Sequence, residues 1–188
     1  MQGARIGLIM LCLSAVWAGG ARTQEQESAG IQVTDVHVVL HDEVYYLDAS
    51  VEYVLSRQLS EALERGVALP VVIEIEILRE RPYIWNETVA TLAQRYELNY
   101  HALTRQYMLR NLNIGTQSSY PSRVAALGAL GRVVSLPLID ANLLEPDVAY
   151  QGRLRVRIDT DALPAPLRLR ALAMPEWRLG SGWHEWRF

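Results

Sequence analysis

Two β-sheets packed as a sandwich, carrying two short helices, is the fold class that the sequence predicts; an α+β arrangement is the alternative. Three observations predict it. From Ile31 onward, apolar and polar residues alternate at period two through most of the chain, the pattern of half-buried strands. Helical spacing is confined to two short stretches, each with its own start and stop residues. In the segment LLEPDVAYQGRLRVRI, a leucine, Pro146 and then Tyr150 lead into a strand. That arrangement is similar to the tyrosine corner of immunoglobulin-like sandwiches, where a phenol ties down a loop between sheets.

The elements follow in order. Arg5 precedes the apolar run IGLIMLCLSAVWA and the small residues GGA. The run is about 13 residues long, short of the roughly 20 that span a bilayer as a helix. It reads as a secretory signal peptide over residues 1–21, cleaved after Ala18 or Ala21. A polar, flexible lead-in over 22–30 precedes one sandwich domain over 31–188. Val36, Val38 and Leu40 begin the alternation, and after the turn HDE a second strand places Tyr45, Leu47, Ala49, Val51, Tyr53 and Leu55 on one face. Ser56 caps a helix through RQLSEALER that Gly66 ends. The next strand sets Ile73, Ile75 and Ile77 against Glu74, Glu76 and Glu80. Residues 84–92 fit both periods, Trp85, Val89, Leu92 and Tyr96 a helical stripe and Leu92, Tyr96, Leu98 and Tyr100 a strand; strand is the reading taken. RQYMLRNL follows as a strand, and Pro121 opens a helix that stops at Gly131. RVVSLPL, GRLRVRID, PLRLRALA and the C-terminal tail complete the strands.

Composition narrows the chemistry. The formal charge of −3 argues against a nucleic-acid partner, which selects a basic field. All 18 basic residues are arginine, so a lysine-dependent phosphate loop is excluded. The single cysteine, Cys12, falls inside the leader, which leaves the exported chain without disulfide, catalytic thiol or thiolate ligand. His37 and His41 would lie about 13 Å apart on a strand, too far to share a zinc ion whose nitrogen ligands sit near 2.0–2.1 Å. Ser181, in GSG, lacks the spacing of a nucleophile elbow. No metal, cofactor or catalytic residue is expected, and the chain reads as non-enzymatic. Arg153, Arg155 and Arg157 alternate with Leu154, Val156 and Ile158. The expectation is that they share a sheet with Glu74 and Glu76, as cross-strand ion pairs; an anion site on the arginines is the rival reading.

The tail EWRLGSGWHEWRF holds three of the five tryptophans. Gly180, Ser181 and Gly182 predict a hairpin in which Trp177 and Leu179 pair with residues 183–188. Trp186 and Phe188 then share the core side, and Trp183 faces outward. Trp177, Trp183, Trp186, Arg178 and Arg187 are the candidate binding residues.

The stretches LNYHALTRQYMLRNL, YPSRVAALGALGRV and the run from Tyr150 to Phe188, with its LPAPLRL and WRLGSGW elements, resemble the proteobacterial family known as domain of unknown function 4390. The resemblance covers about Ile31 to Phe188 and assigns no activity and no catalytic residue. It implies an exported protein, of a kind often encoded beside a membrane sensor histidine kinase, and hence a role beside that kinase. The sequence therefore predicts a periplasmic accessory or interaction module, with that kinase as partner and no membrane span once the leader is removed. The alternative is a binder of a small ligand or envelope polymer through the tryptophan cluster.

Overall fold

The computed structural model describes residues 28–187; the stretch read as a signal peptide, most of that read as a lead-in and Phe188 lie outside the described residues. In chain order it contains β1 (Gly30–His41), β2 (Val44–Val54), α1 (Arg57–Glu64), β3 (Leu69–Arg79) and β4 (Glu87–His101). After these come β5 (Gln106–Asn111), β6 (Gln117–Tyr120), α2 (Arg123–Leu130), β7 (Arg132–Asp140), β8 (Tyr150–Ile158), α3 (Ala165–Ala173) and β9 (His184–Arg187). Two antiparallel sheets result, ordered β1-β2-β7 and β6-β5-β4-β3-β8-β9. The two-sheet sandwich with few helices is the expected class.

The β1–β2 hairpin closes through Asp42 and Glu43, at φ +47° and +63°, the left-handed pair whose twist suits antiparallel strands. On β2 the anticipated face turns inward, with Leu47, Ala49 and Val51 buried. They share one core with Val71, Ile73, Ile75 and Ile77 of β3 and Leu154, Val156 and Ile158 of β8. The core closes at its flank with α1, which buries Leu59, Ala62 and Leu63. Ser56 caps that helix by accepting from the Leu59 N–H (3.2 Å) and donates to the Glu176 carbonyl (2.8 Å), so one hydroxyl ties the helix start to the C-terminal segment. Tyr150 is buried, and its phenol oxygen accepts from the Glu145 N–H at 3.0 Å, five residues upstream. The loop before β8 is thus tied as the tyrosine-corner pattern anticipates.

Three expectations need correction. PLRLRALA is the helix α3, a third one. Its alternation of Leu and Arg mimics a strand, but residues 165–173 contain no β-branched residue, and Leu, Arg and Ala are strong helix formers. Pro166 in the first turn adds a fixed, helix-compatible φ. Second, the tail is not a hairpin on itself. Trp177 lies in a 3-10 turn (Pro175–Trp177), and the chain beyond it runs antiparallel along β8, where β9 pairs Gly152 with Trp186 and Leu154 with His184. The free edge of β8 supplies a row of backbone donors and acceptors that a self-paired tail would have left unmatched. Third, Gln117–Tyr120 is a strand that polar composition concealed, and β4 begins only at Glu87, so 84–86 are loop.

Candidate functional site

The outer face of the larger sheet carries most of the candidate residues. On β3, Glu74 and Glu76 point away from the core, and the register sets Glu74 against Arg155 and Glu76 against Arg153 on β8. Arg153 Nε donates to Glu76 Oε2 at 2.8 Å. Glu74 receives the Nε of Arg155 on one oxygen and Nη2 of Arg157 on the other, the latter at 3.0 Å. Arg157 also spans to Asp159, Nη1 to Oδ1 at 3.2 Å. Burial alone would raise the Glu74 carboxyl, yet the hydrogen bonds and charges of Arg157 and Arg155 outweigh it and hold the group below the usual carboxylate range. For Arg157, burial works against the charge, and the Glu74 and Asp159 carboxylates more than offset it. Each such cross-strand pair contributes about 0.2–1 kcal/mol, so the face is a rigid electrostatic lattice more than a source of stability.

Trp183 joins this lattice from the tail. The guanidinium carbons of Arg153 and Arg155 both lie 4.4 Å from its ring centre, at cation–π distance. The ring is already clasped, which weakens its case as a free stacking platform. Trp177 is buried at 4% exposure, among the core residues. Trp186 lies on the core side, its indole against Gly152, where a β-carbon would overlap the ring. Two of the three tail tryptophans therefore close the core, and Trp183 alone belongs to the outer face.

The tail also forms a pocket. Where it runs along β8, Leu179 accepts from the Ile158 N–H at 2.9 Å and the Ser181 N–H donates to Val156 at 2.8 Å. The Ser181 hydroxyl accepts the Val156 N–H at 2.9 Å and donates to the Gly182 carbonyl at 2.8 Å, replacing a missing ladder group. Both of its roles are taken up by the backbone, as a structural serine's would be. The strip borders an open groove of about 330 Å³ between Arg155 and Arg157 on one side and Arg178, Gly180 and Ser181 on the other. Arg178 thus joins the arginine ladder, whereas Arg187 does not. It lies at the far end of the sandwich, paired with Glu80 at 3.0 Å, beside a wider polar cleft of about 850 Å³. The arginines of that cleft are each held by a carboxylate, Arg79 by both oxygens of Glu145 and Arg81 by Glu87.

Sequence reasoning missed the loop between β3 and β4. Tyr83 is fully exposed, Trp85 is 92% exposed and Ile84 59%. Tyr83 adopts φ +73°, a left-handed conformation costing an L-residue on the order of 1–2 kcal/mol. Pro82 after the last strand residue marked the turn; the fit of Trp85 to two periodicities obscured it. His37 and His41 sit apart, the first 3.0 Å from Asp35 and the second 3.2 Å from Asp42. No helix among the described residues is long and apolar enough to cross a membrane.

No curated protein and no solved structure matches the chain. A family model described as Domain of unknown function (DUF4390) matches residues 28–187, the whole of the described chain. With that match spanning both sheets, the arginine face and the tail, the chain belongs to the DUF4390 family.

Proposed function

We propose that the protein is an exported, non-enzymatic interaction module that docks on the extracytoplasmic part of a membrane sensor kinase. The observation that carries the docking is the β3–β4 loop, which holds Tyr83, Ile84 and Trp85 in solvent at 104%, 59% and 92% exposure. Large aromatic side chains left in water cost solubility, and Tyr and Trp are the residue types that dominate protein–protein hot spots. The strain at Tyr83 supports the same reading, since strained backbone in an exposed aromatic residue marks a position kept for contact. The flanking pairs Arg79–Glu145 and Arg81–Glu87 brace both ends of the loop, which lowers the ordering cost of docking. The kinase as partner class, and export to the periplasm, come from the family resemblance and the leader-like first residues.

The test is in-cell photocrosslinking from position 85, with a photoreactive aromatic residue in place of Trp85 and mass spectrometry of the product. Capture of the kinase's extracytoplasmic part, abolished by Tyr83→Ser with unchanged thermal unfolding, is the expected result. Failure to capture any kinase, or capture that Tyr83→Ser leaves intact, refutes the assignment.

A further inference from the structure

We propose that the pocket between β8 and the tail binds a small oxyanion of the phosphate class, with Arg178 as its anchor. The inference is independent of the docking loop and concerns different residues.

The pocket lining contains three arginines, Arg155, Arg157 and Arg178, and no carboxylate. The carboxylates that neutralise this region, Glu74 and Asp159, are not part of the lining; they hold Arg155 through Nε and Arg157 through Nε, Nη1 and Nη2. That arrangement fixes two guanidinium planes before any ligand arrives and keeps their acceptors out of the cavity. Both terminal nitrogens of Arg155 and the whole guanidinium of Arg178 have no hydrogen bond or ion pair among the described residues. The Thr160 hydroxyl stands at the same cavity and is likewise without a partner among the described residues. The tail comes this close because Gly180 lacks a side chain; a β-carbon there would press on Arg157 Cβ at 3.2 Å and the Val156 carbonyl at 3.3 Å.

Ligand class follows from donor geometry. Guanidinium forks recognise planar or tetrahedral oxyanions by paired N–H donors. The Arg178 fork from the tail, the two terminal nitrogens of Arg155 on β8 and the Thr160 hydroxyl together offer more donors than a carboxylate has directions to accept. A tetrahedral phosphate, with acceptors on every side and up to two charges, uses them all. A volume of about 330 Å³ is at the small end of ligand sites, fitting a phosphate or phosphomonoester head. Such a group is supplied either free in solution or as a lipid headgroup.

The protein recovered after export from cells expressing the full sequence is titrated with inorganic phosphate at constant ionic strength, following the side-chain Nε–H signals of arginine and the Ser181 amide by NMR. Saturable shifts at Arg155, Arg157 and Arg178 are expected, absent with acetate. Arg178→Gln should weaken them about tenfold or more, the loss of one charge-assisted pair. Because Arg178 is exposed, this variant keeps its fold, checked by thermal unfolding; Thr160→Val is the second variant and should weaken binding by a smaller factor. Flotation with phosphatidylcholine vesicles, with and without phosphatidic acid, separates the sources. Arg178-dependent flotation on phosphatidic acid assigns a headgroup, and phosphate binding without flotation assigns a soluble ligand. No saturable shift with phosphate, the same response to acetate, or full binding by Arg178→Gln overturns the proposal.

Discussion

Gly152→Ala is the substitution whose cost the structure determines most directly. Gly152 pairs with Trp186 across β8 and β9, and the indole lies where a β-carbon would project, overlapping Cε2, Cζ2 and Nε1. Two responses are open to the protein. If the ring stays, the strands must separate, an overpacking cost of about 1–3 kcal/mol. If the ring leaves its seat, it gives up its burial. A tryptophan buries about 150–250 Å², worth roughly 4–6 kcal/mol at about 25 cal/mol per Å². Trp186 is only half-buried, so roughly half of that, 2–3 kcal/mol, is at stake. The cheaper route sets the loss, at about 1–3 kcal/mol. In a Trp186→Ala background the obstruction is gone. There Gly152→Ala should be neutral or stabilising by up to about 0.5–1 kcal/mol, because alanine has less unfolded-chain entropy to lose. Urea denaturation of the four proteins, with slopes compared to verify a common unfolding transition, completes the cycle. An equal cost of Gly152→Ala in both backgrounds would show that the indole does not occupy this seat.

Three further outcomes follow from the same coordinates. Reversing Glu76 to Arg should destabilise the sheet, and adding Arg153→Glu should restore about 0.2–1 kcal/mol of the loss; a cycle without coupling removes the ion pair read between β3 and β8. Glu74, held below the ordinary carboxylate range, contributes stability that is present above a pH of about 4.3 and lost as pH falls through its folded value. The stability gap between the parent and Glu74→Gln should therefore close on acidification, and a gap constant from neutral pH to pH 3 would contradict the pairing. Tyr53 has a buried hydroxyl without a hydrogen-bond partner among the described residues, and burial, with Tyr96 adding to it, raises its ionisation above the normal tyrosine range. Tyr53→Phe should stabilise by about 1 kcal/mol or more. It should also remove the parent's share of stability loss as pH rises above about 10, where an unfolded tyrosine ionises; melts that are unchanged by the substitution would refute this.

Strand identity was legible wherever one face met the core and the other met water. On β2 and β3 the inward residues are those that alternation singled out, because a period-two pattern leaves one register that buries Leu47, Ala49, Val51 and Ile73, Ile75, Ile77 together. The Glu–Arg face was legible for the same reason, since two strands with complementary outer rows gain by lying side by side. Pattern misled at PLRLRALA, where alternation came from composition without a sheet to receive it and the intrinsic preference for helix prevailed. The Tyr83–Trp85 loop was hidden because exposure is a property of what fails to pack against a residue.

Taken alone, the sequence determined the local terms: which residues start and stop α1, where α2 stops, which faces of the strands are apolar, where charges alternate, and that Trp183 opposes Trp186 across its strand. Those are decided within a few residues by backbone geometry and side-chain period. The start of α2 falls one residue beyond the Pro121 reading, at the Ser122 cap. The tertiary structure decided the partners. Whether the tail folded on itself or on β8 depended on which strand edge was left unpaired, and Arg178 reached Arg155 and Arg157 only because the tail took that edge. Edge pairing is settled by competition among distant backbone groups for hydrogen bonds, a global balance that no window of sequence contains.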